Sequence, residues 1–132
     1  MSQVELVYQI LCDDVRLEIG NKLSFIGVFQ EIYVQQLPIV LPKLAVLTQW
    51  CGEGEHSCTI QIISPDRTNV IGSSPESKFR IPSQGYANSI AFFLNIQFLQ
   101  SGKYILQTSL NRKVQSERTI IVGLISQMPP QN

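Results

Sequence analysis

Residues 88–124 read NSIAFFLNIQFLQSGKYILQTSLNRKVQSERTIIVGL. Within this stretch Ile90, Phe92, Leu94, Ile96 and Phe98 fall on every second position, the period of a strand with one face against a core. Ser101-Gly102-Lys103-Tyr104 breaks the run, and two further apolar strands follow, up to Leu110 and from Thr119 to Ile125. A glycine two residues before a tyrosine, between two strands, reads as a tyrosine corner: the phenol packs at the strand start and its hydroxyl bonds back to upstream backbone. The stretch therefore reads as the closing part of a Greek-key β-sandwich.

Working outward, Val4, Leu6, Tyr8, Ile10 and Cys12 alternate in a first strand whose even side is expected to face the core. Gly20-Asn21-Lys22 signals a reversal, since Gly and Asn accept positive φ at little steric cost. Leu23 to Val34 reads as one long strand, apolar on both sides, either covered on both faces or bent by a bulge at Gly27. Pro38 and Pro42 bracket Ile39-Val40-Leu41; without their amide donors a central strand is disfavoured, and an extended crossing between sheets is expected. Leu44, Val46, Thr48 and Trp50 share a face of the next strand, which ends at Gly52-Glu53-Gly54-Glu55, read as a short hairpin loop. The return strand carries Cys58, Ile60 and Ile62 inward and stops at the turn Ser64-Pro65-Asp66-Arg67. Segments 69–74 and 77–81 read as short edge strands limited by Pro75, Pro82 and Gly85. No helical period of useful length and no internal repeat occurs. The expectation is an all-β, immunoglobulin-like Greek-key sandwich of seven to eight mainly antiparallel strands, one domain over residues 1–126 with a flexible tail at 127–132.

At 132 residues the chain is long enough for one core without disulfide or metal staples. Ten Lys and Arg balance ten Asp and Glu, so no global field draws the protein to nucleic acid or an anionic membrane. No apolar run approaches membrane-spanning length, and the start Met1-Ser2-Gln3-Val4-Glu5 lacks the features of a secretory signal. Three cysteines, Cys12, Cys51 and Cys58, are an awkward count for an exported framework and ordinary as free thiols in a reducing cytoplasm.

Three segments together carry a family resemblance: Leu11-Cys12-Asp13-Asp14-Val15-Arg16, the run from Gly20 through Phe29, and Pro38 to Pro42. With the Ser101-Gly102-Lys103-Tyr104 end, they make the chain similar to a family of short uncharacterised bacterial β-sandwich proteins. The resemblance implies the fold and no activity. One departure is the last hairpin, where Asn111-Arg112-Lys113 stands in place of an acidic-glycine turn.

Each constellation able to carry chemistry has a plainer structural account. Asp13, Asp14 and Glu18 crowd carboxylates after the first strand, as in the start of a calcium site or an acid-base pair, yet without calcium-loop spacing; turn capping and a pair with Arg16 account for them. Cys51, His56 and Cys58 flank one loop and offer a zinc-type donor set, but lack a fourth ligand nearby; a solvated histidine and apolar thiols account for them. Gly52-Glu53-Gly54-Glu55 is too acidic to cradle phosphate. Arg112, Lys113 and Arg118 gather positive charge near the last hairpin, able to hold a phosphate or acidic peptide, or simply solvated.

The stronger surface signal is apolar. Val7 and Leu11 lie opposite the expected core side of the first strand, and Phe25, Phe29 and Tyr33 lie on a second strand apolar on both faces. A sheet in a two-layer fold buries only one face, so these residues predict an exposed patch covered by a second copy, another protein, or the chain's own segment from Gln35 to Lys43. The sequence thus predicts a non-catalytic cytoplasmic protein, using no cofactor, that acts by protein association as a homo-oligomer or with a partner. The alternative is a small ligand or ion bound by loops at one end, with Asp13, Asp14, Arg16, Arg112 and Lys113 as candidates.

Overall fold

The computed structural model describes residues 3–130 and contains no α-helix among them. Nine strands follow in order: β1 (Glu5–Cys12), β2 (Asp14–Glu18), β3 (Lys22–Ile26), β4 (Glu31–Val34), β5 (Ile39–Ile63), β6 (Val70–Ser73), β7 (Ser77–Phe98), β8 (Gly102–Leu110) and β9 (Lys113–Leu124). Seven of them form a single curled mixed sheet, with β1-β5-β8-β9-β4 as its path and β6 and β7 both paired to β5. This differs from two separate facing sheets. The physical reason lies in β5 and β7, which run for 25 and 22 residues.

Gly52-Glu53-Gly54-Glu55 does not reverse the chain. It bends β5, with a register shift between Gly52 and Gly54 opposite the Ile81–Gly85 stretch of β7. At Gly52 φ is 137°, and a Cβ would come within 2.8 Å of the Gln3 carbonyl oxygen, so the bend tolerates no side chain there. Before the bend β5 pairs with β1; past it, β5 pairs with β8 and β6. One strand therefore serves both layers. Ile39-Val40-Leu41, expected as a crossing, is the start of β5 and pairs with Phe98, Gln97 and Ile96. Pro42 is tolerated because the β1 ladder begins only at Ala45.

The expected single strand from Leu23 to Val34 is cut in two at Gly27. There φ is 68°, and a Cβ would collide with the Asp13 carboxylate. Before the cut, β3 pairs with β2 as a separate two-stranded sheet. After it, Phe29 N–H donates to the Leu11 carbonyl (2.9 Å), and β4 joins β9 in a parallel pair. The Leu11–Phe29 bridge links the β1 edge toward β4 at the far end of the path, and Arg118 adds a bond to the Gln9 carbonyl (3.1 Å). Drawing the ends together in this way hides edges that would otherwise invite aggregation.

The core fills the inside of the curl: Leu44, Val46 and Trp50 from the first half of β5, Cys58, Ile60 and Ile62 from the second, with Phe93, Phe98, Tyr104, Leu106 and Ile120. Trp50 stacks on Phe79 at 5.9 Å and donates to Ser89 Oγ (3.1 Å). The tyrosine corner is present. Tyr104 is buried, lies edge-on to Phe98 at 5.0 Å, and donates its hydroxyl to the Gln100 carbonyl at 2.7 Å. Among the described residues no buried side-chain nitrogen or oxygen lacks a hydrogen-bond partner.

Two single-residue irregularities overturn the expected faces. The register of β1 slips between Leu6 and Tyr8, leaving Val7 as an extra residue. Past that bulge Gln9 and Leu11 turn inward while Tyr8 and Ile10 turn out, because side chains alternate with period two. In β7, Asn95 has φ 55°. Ala91 and Phe93 face the core before it and Ile96 and Phe98 after it, so Phe92 and Leu94, expected inside, stand 41% and 66% exposed. The tail expected at 127–132 starts within a 3-10 turn, Ile125–Gln127; residues 131–132 lie outside the described residues.

Candidate functional site

The outer face of β1, β5 and the second half of β7 carries two uncharged cross-strand rows. Ile10, Leu47 and Ile90 are aligned in one; Cys12, Ala45 and Phe92 in the next. Tyr8, beside Gln49, and Leu94, beside Lys43, extend the surface at opposite corners. The centre is close-packed, with Leu47 and Ala45 fully buried by their neighbours, whereas Tyr8, Phe92 and Leu94 remain open to water. Lys43 is the charge at this face: its ammonium lies 4.8 Å from the Phe92 ring centre and 2.8 Å from Asp14. That contact holds the Asp14 carboxyl below its ordinary pKa, the Lys43 hydrogen bond being the main cause.

The apolar residues anticipated for an interface are dispersed. Leu11 is in the core at 1% exposure, and Phe29 packs against that core beside it. Phe25 is half-buried in the β2–β3 hairpin, paired with Val15. Tyr33 is half-buried on β4, where its hydroxyl donates to Glu31 and its pKa is raised by that bond. Val7 alone of the five is exposed, at the bulge. The expected cover, Gln35 to Lys43, is largely taken up by β5 itself. Excess apolar surface exists, but its residues are Tyr8, Ile90, Phe92 and Leu94, which alternation had placed inside.

A second feature is an open cleft of about 710 Å³ where the β5 bend meets the β8–β9 hairpin. Its lining includes His56, Phe79 and Asn111, the cations Lys78, Arg80 and Arg112, and the carboxylates Glu55 and Glu76. Asn111 and Arg112 both have positive φ, as a two-residue type I′ hairpin requires. Asn111 Oδ1 accepts from the Ser57 amide (3.0 Å) while its Nδ2 contacts His56 Nδ1 (2.9 Å), and His56 Nε2 contacts the Glu53 carbonyl (2.8 Å). With Nδ1 accepting from an amide and Nε2 donating to a carbonyl, both ring nitrogens are in use. Arg112 is paired with Glu76 at 3.4 Å, Lys113 is exposed, and Arg118 reaches away to Gln9.

The candidate donor sets do not converge. Cys58 points into the core, where burial pushes its thiol pKa up, and Cys12 is buried with its pKa also raised; Cys51 is half-buried. Among the described residues no group of three or more His, Cys, Asp or Glu is placed to hold a metal ion. Asp14 salt-bridges to Arg16 (3.7 Å) and Lys43, near the start of β5, and Asp13 sits at the Gly27 kink. Arg112 and Lys113 lie by Ser57, past the β5 bend, so the acidic corner and the basic hairpin tip are separate surfaces.

The model of the Family of unknown function (DUF6941) matches residues 7–123. The chain belongs to this family. The match runs from the β1 bulge through nearly all of β9, so the outer face and the cleft of this DUF6941 chain both fall within it. No curated protein matches the sequence. Among the described residues, no helix is long and apolar enough to cross a membrane.

Proposed function

We propose that the protein is a non-catalytic cytoplasmic association module that forms a homo-oligomer through the outer face of β1, β5 and β7. The observation that carries the reading is the pair of exposed large apolar side chains, Phe92 and Leu94, continuous with Ile90, Leu47 and Ile10. Exposed apolar groups standing alone are ordinary; Phe92 and Leu94 are neighbours on one face of β7 and adjoin the half-buried Ile90, and contiguous apolar surface marks interaction sites. Three free cysteines suit a reducing compartment. Light scattering during size exclusion at about 50 µM is expected to give a multiple of 14.9 kDa for the wild type and 14.9 kDa for Phe92→Lys/Leu94→Lys. Both positions are exposed, so the variant should keep its fold. A monomeric wild type refutes the reading.

A second reading rests on the cleft. Its aromatic floor at Phe79, and the cations Lys78, Arg80 and Arg112 against the carboxylates Glu55 and Glu76, leave a small positive excess that suits a small anionic ligand with an apolar part. A panel of organic carboxylates and phosphates should then raise the melting temperature, and Arg80→Ala should abolish the rise.

A further inference from the structure

We infer that the outer edge of β7, from Tyr86 to Leu94, is a seam at which two copies of this chain pair strand to strand, antiparallel, about a two-fold axis at Ile90. The inference deepens the proposed association and rests on it. Along β7 one edge is laddered to β5 over both halves of the strand. Among the described residues the other edge makes no backbone ladder, although regular strand persists there. An edge of that length is a template for another strand.

Proteins that keep such an edge single guard it with charges, prolines or bulges. This edge carries none of those guards within the segment. The sequence holds no Asp, Glu, Lys or Arg between Arg80 and Lys103. Pro82 lies before the segment, and the left-handed residues Gln84 and Asn95, with φ of 54° and 55°, bound it on either side. What lies between them is a straight, neutral strand about 33 Å long at roughly 3.3 Å per residue.

The absence of charge selects the occupant. A strand of another protein recognised by this edge would be chosen by complementary charges at its rim, and the edge offers none. Its own copy fits without like-charge contact, and isologous pairing about a two-fold is the commonest route to a dimer. The central residue of the Tyr86–Leu94 segment is Ile90, whose side chain lies on the outer face. Pairing about it sets Ile90 opposite Ile90, Asn88 opposite Phe92, and Tyr86 opposite Leu94 of the second copy. The outer rows Ile10–Leu47–Ile90 then continue across the seam into the same rows of the partner, which covers the exposed sides of Phe92 and Leu94.

The register gives the test. In a Cys51→Ser background, with Cys12 and Cys58 buried, single variants Tyr86→Cys and Leu94→Cys are purified and oxidised alone and as a mixture. Across a strand pair opposed residues lie about 5 Å apart, within disulfide reach, whereas Leu94 and its own copy lie roughly 26 Å apart. The mixture should therefore cross-link at least about tenfold faster than either variant alone, and Ile90→Cys should cross-link to itself. Both Tyr86 and Leu94 are exposed, so neither change empties the core. If light scattering shows a dimer but Tyr86→Cys bonds to itself as fast as to Leu94→Cys, or no pair bonds, the seam is wrong and association by the face stands. A monomeric wild type overturns both.

Discussion

Replacing Tyr104 with Phe removes one oxygen from a ring that is otherwise buried and edge-on to Phe98. The atom lost is the donor to the Gln100 carbonyl, at 2.7 Å. A neutral intramolecular hydrogen bond contributes about 0.5–1.5 kcal/mol net, and the cost rises if the abandoned acceptor is cut off from water. Gln100 lies on the surface, so its carbonyl regains a water and the loss stays within that range. For 132 residues the unfolding entropy near 60 °C is roughly 0.28 kcal/mol/K at about 2.1 cal/mol/K per residue. The expected fall in melting temperature is therefore about 2–5 °C, read by scanning calorimetry at a fixed protein concentration. Far-UV spectra and oligomeric state should not change, because the residue is remote from the outer face. A variant melting within half a degree of the wild type would show that the bond holds nothing, and that Gly-x-Tyr here is only a strand start.

Gly27→Ala should destabilise by about 1–3 kcal/mol from its left-handed backbone, with an added collision against Asp13. Combining it with Asp13→Ala should return the collision part only, so urea midpoints of the single and double variants separate the two causes; equal midpoints refute the contact. The Asp66 carboxyl, held by Ser64 and then Thr68, is lowered to about 2. Because its native pKa lies below the unfolded value near 4, it contributes stability above that value and loses it as pH falls toward 2. Carboxyl carbon titration by NMR should find a midpoint near 2, moving up in Ser64→Ala; an ordinary midpoint near 4 would contradict the turn geometry.

What was legible in the sequence was local. The tyrosine corner shows because its glycine, ring and acceptor lie within five residues, and Cys58, Ile60 and Ile62 show because no irregularity interrupts them. Gly52-Glu53-Gly54-Glu55 misled because a glycine-rich acidic tetrapeptide looks the same whether the chain reverses or bends. The difference is made by β7, which follows β5 round the corner and is distant in sequence. The face assignments failed at Val7 and Asn95. At Val7 a one-residue slip inverts every side chain beyond it, whereas at Asn95 the pairing with β5 keeps its register and the left-handed backbone changes the face; neither residue is a Gly or Pro. Hence excess apolar surface was readable, while the residues forming it were not.

The β1 bulge also bears on why that surface exists. Without the extra residue at Val7, Tyr8 and Ile10 would enter the core and Gln9 would point to solvent. The observed register does the opposite. It places the Gln9 amide inside, where Nε2 must be satisfied by Thr48 (3.1 Å) and Thr108 (2.9 Å), and it turns an isoleucine and a tyrosine outward. Burying one large apolar side chain contributes about 1.5–3 kcal/mol, and the observed register gains Leu11 inside while leaving Tyr8 39% exposed and Ile10 half-buried. Threonines on β5 and β8 stand ready to receive the glutamine, so the sequence supports the observed register at three separate positions. A polar group brought inside and satisfied from two other strands, with a tyrosine left outside, is the kind of local departure found beside surfaces kept for use. In this chain that surface is Tyr8, Phe92 and Leu94 around the buried Leu47, which the neutral edge of β7 leaves open to a second copy.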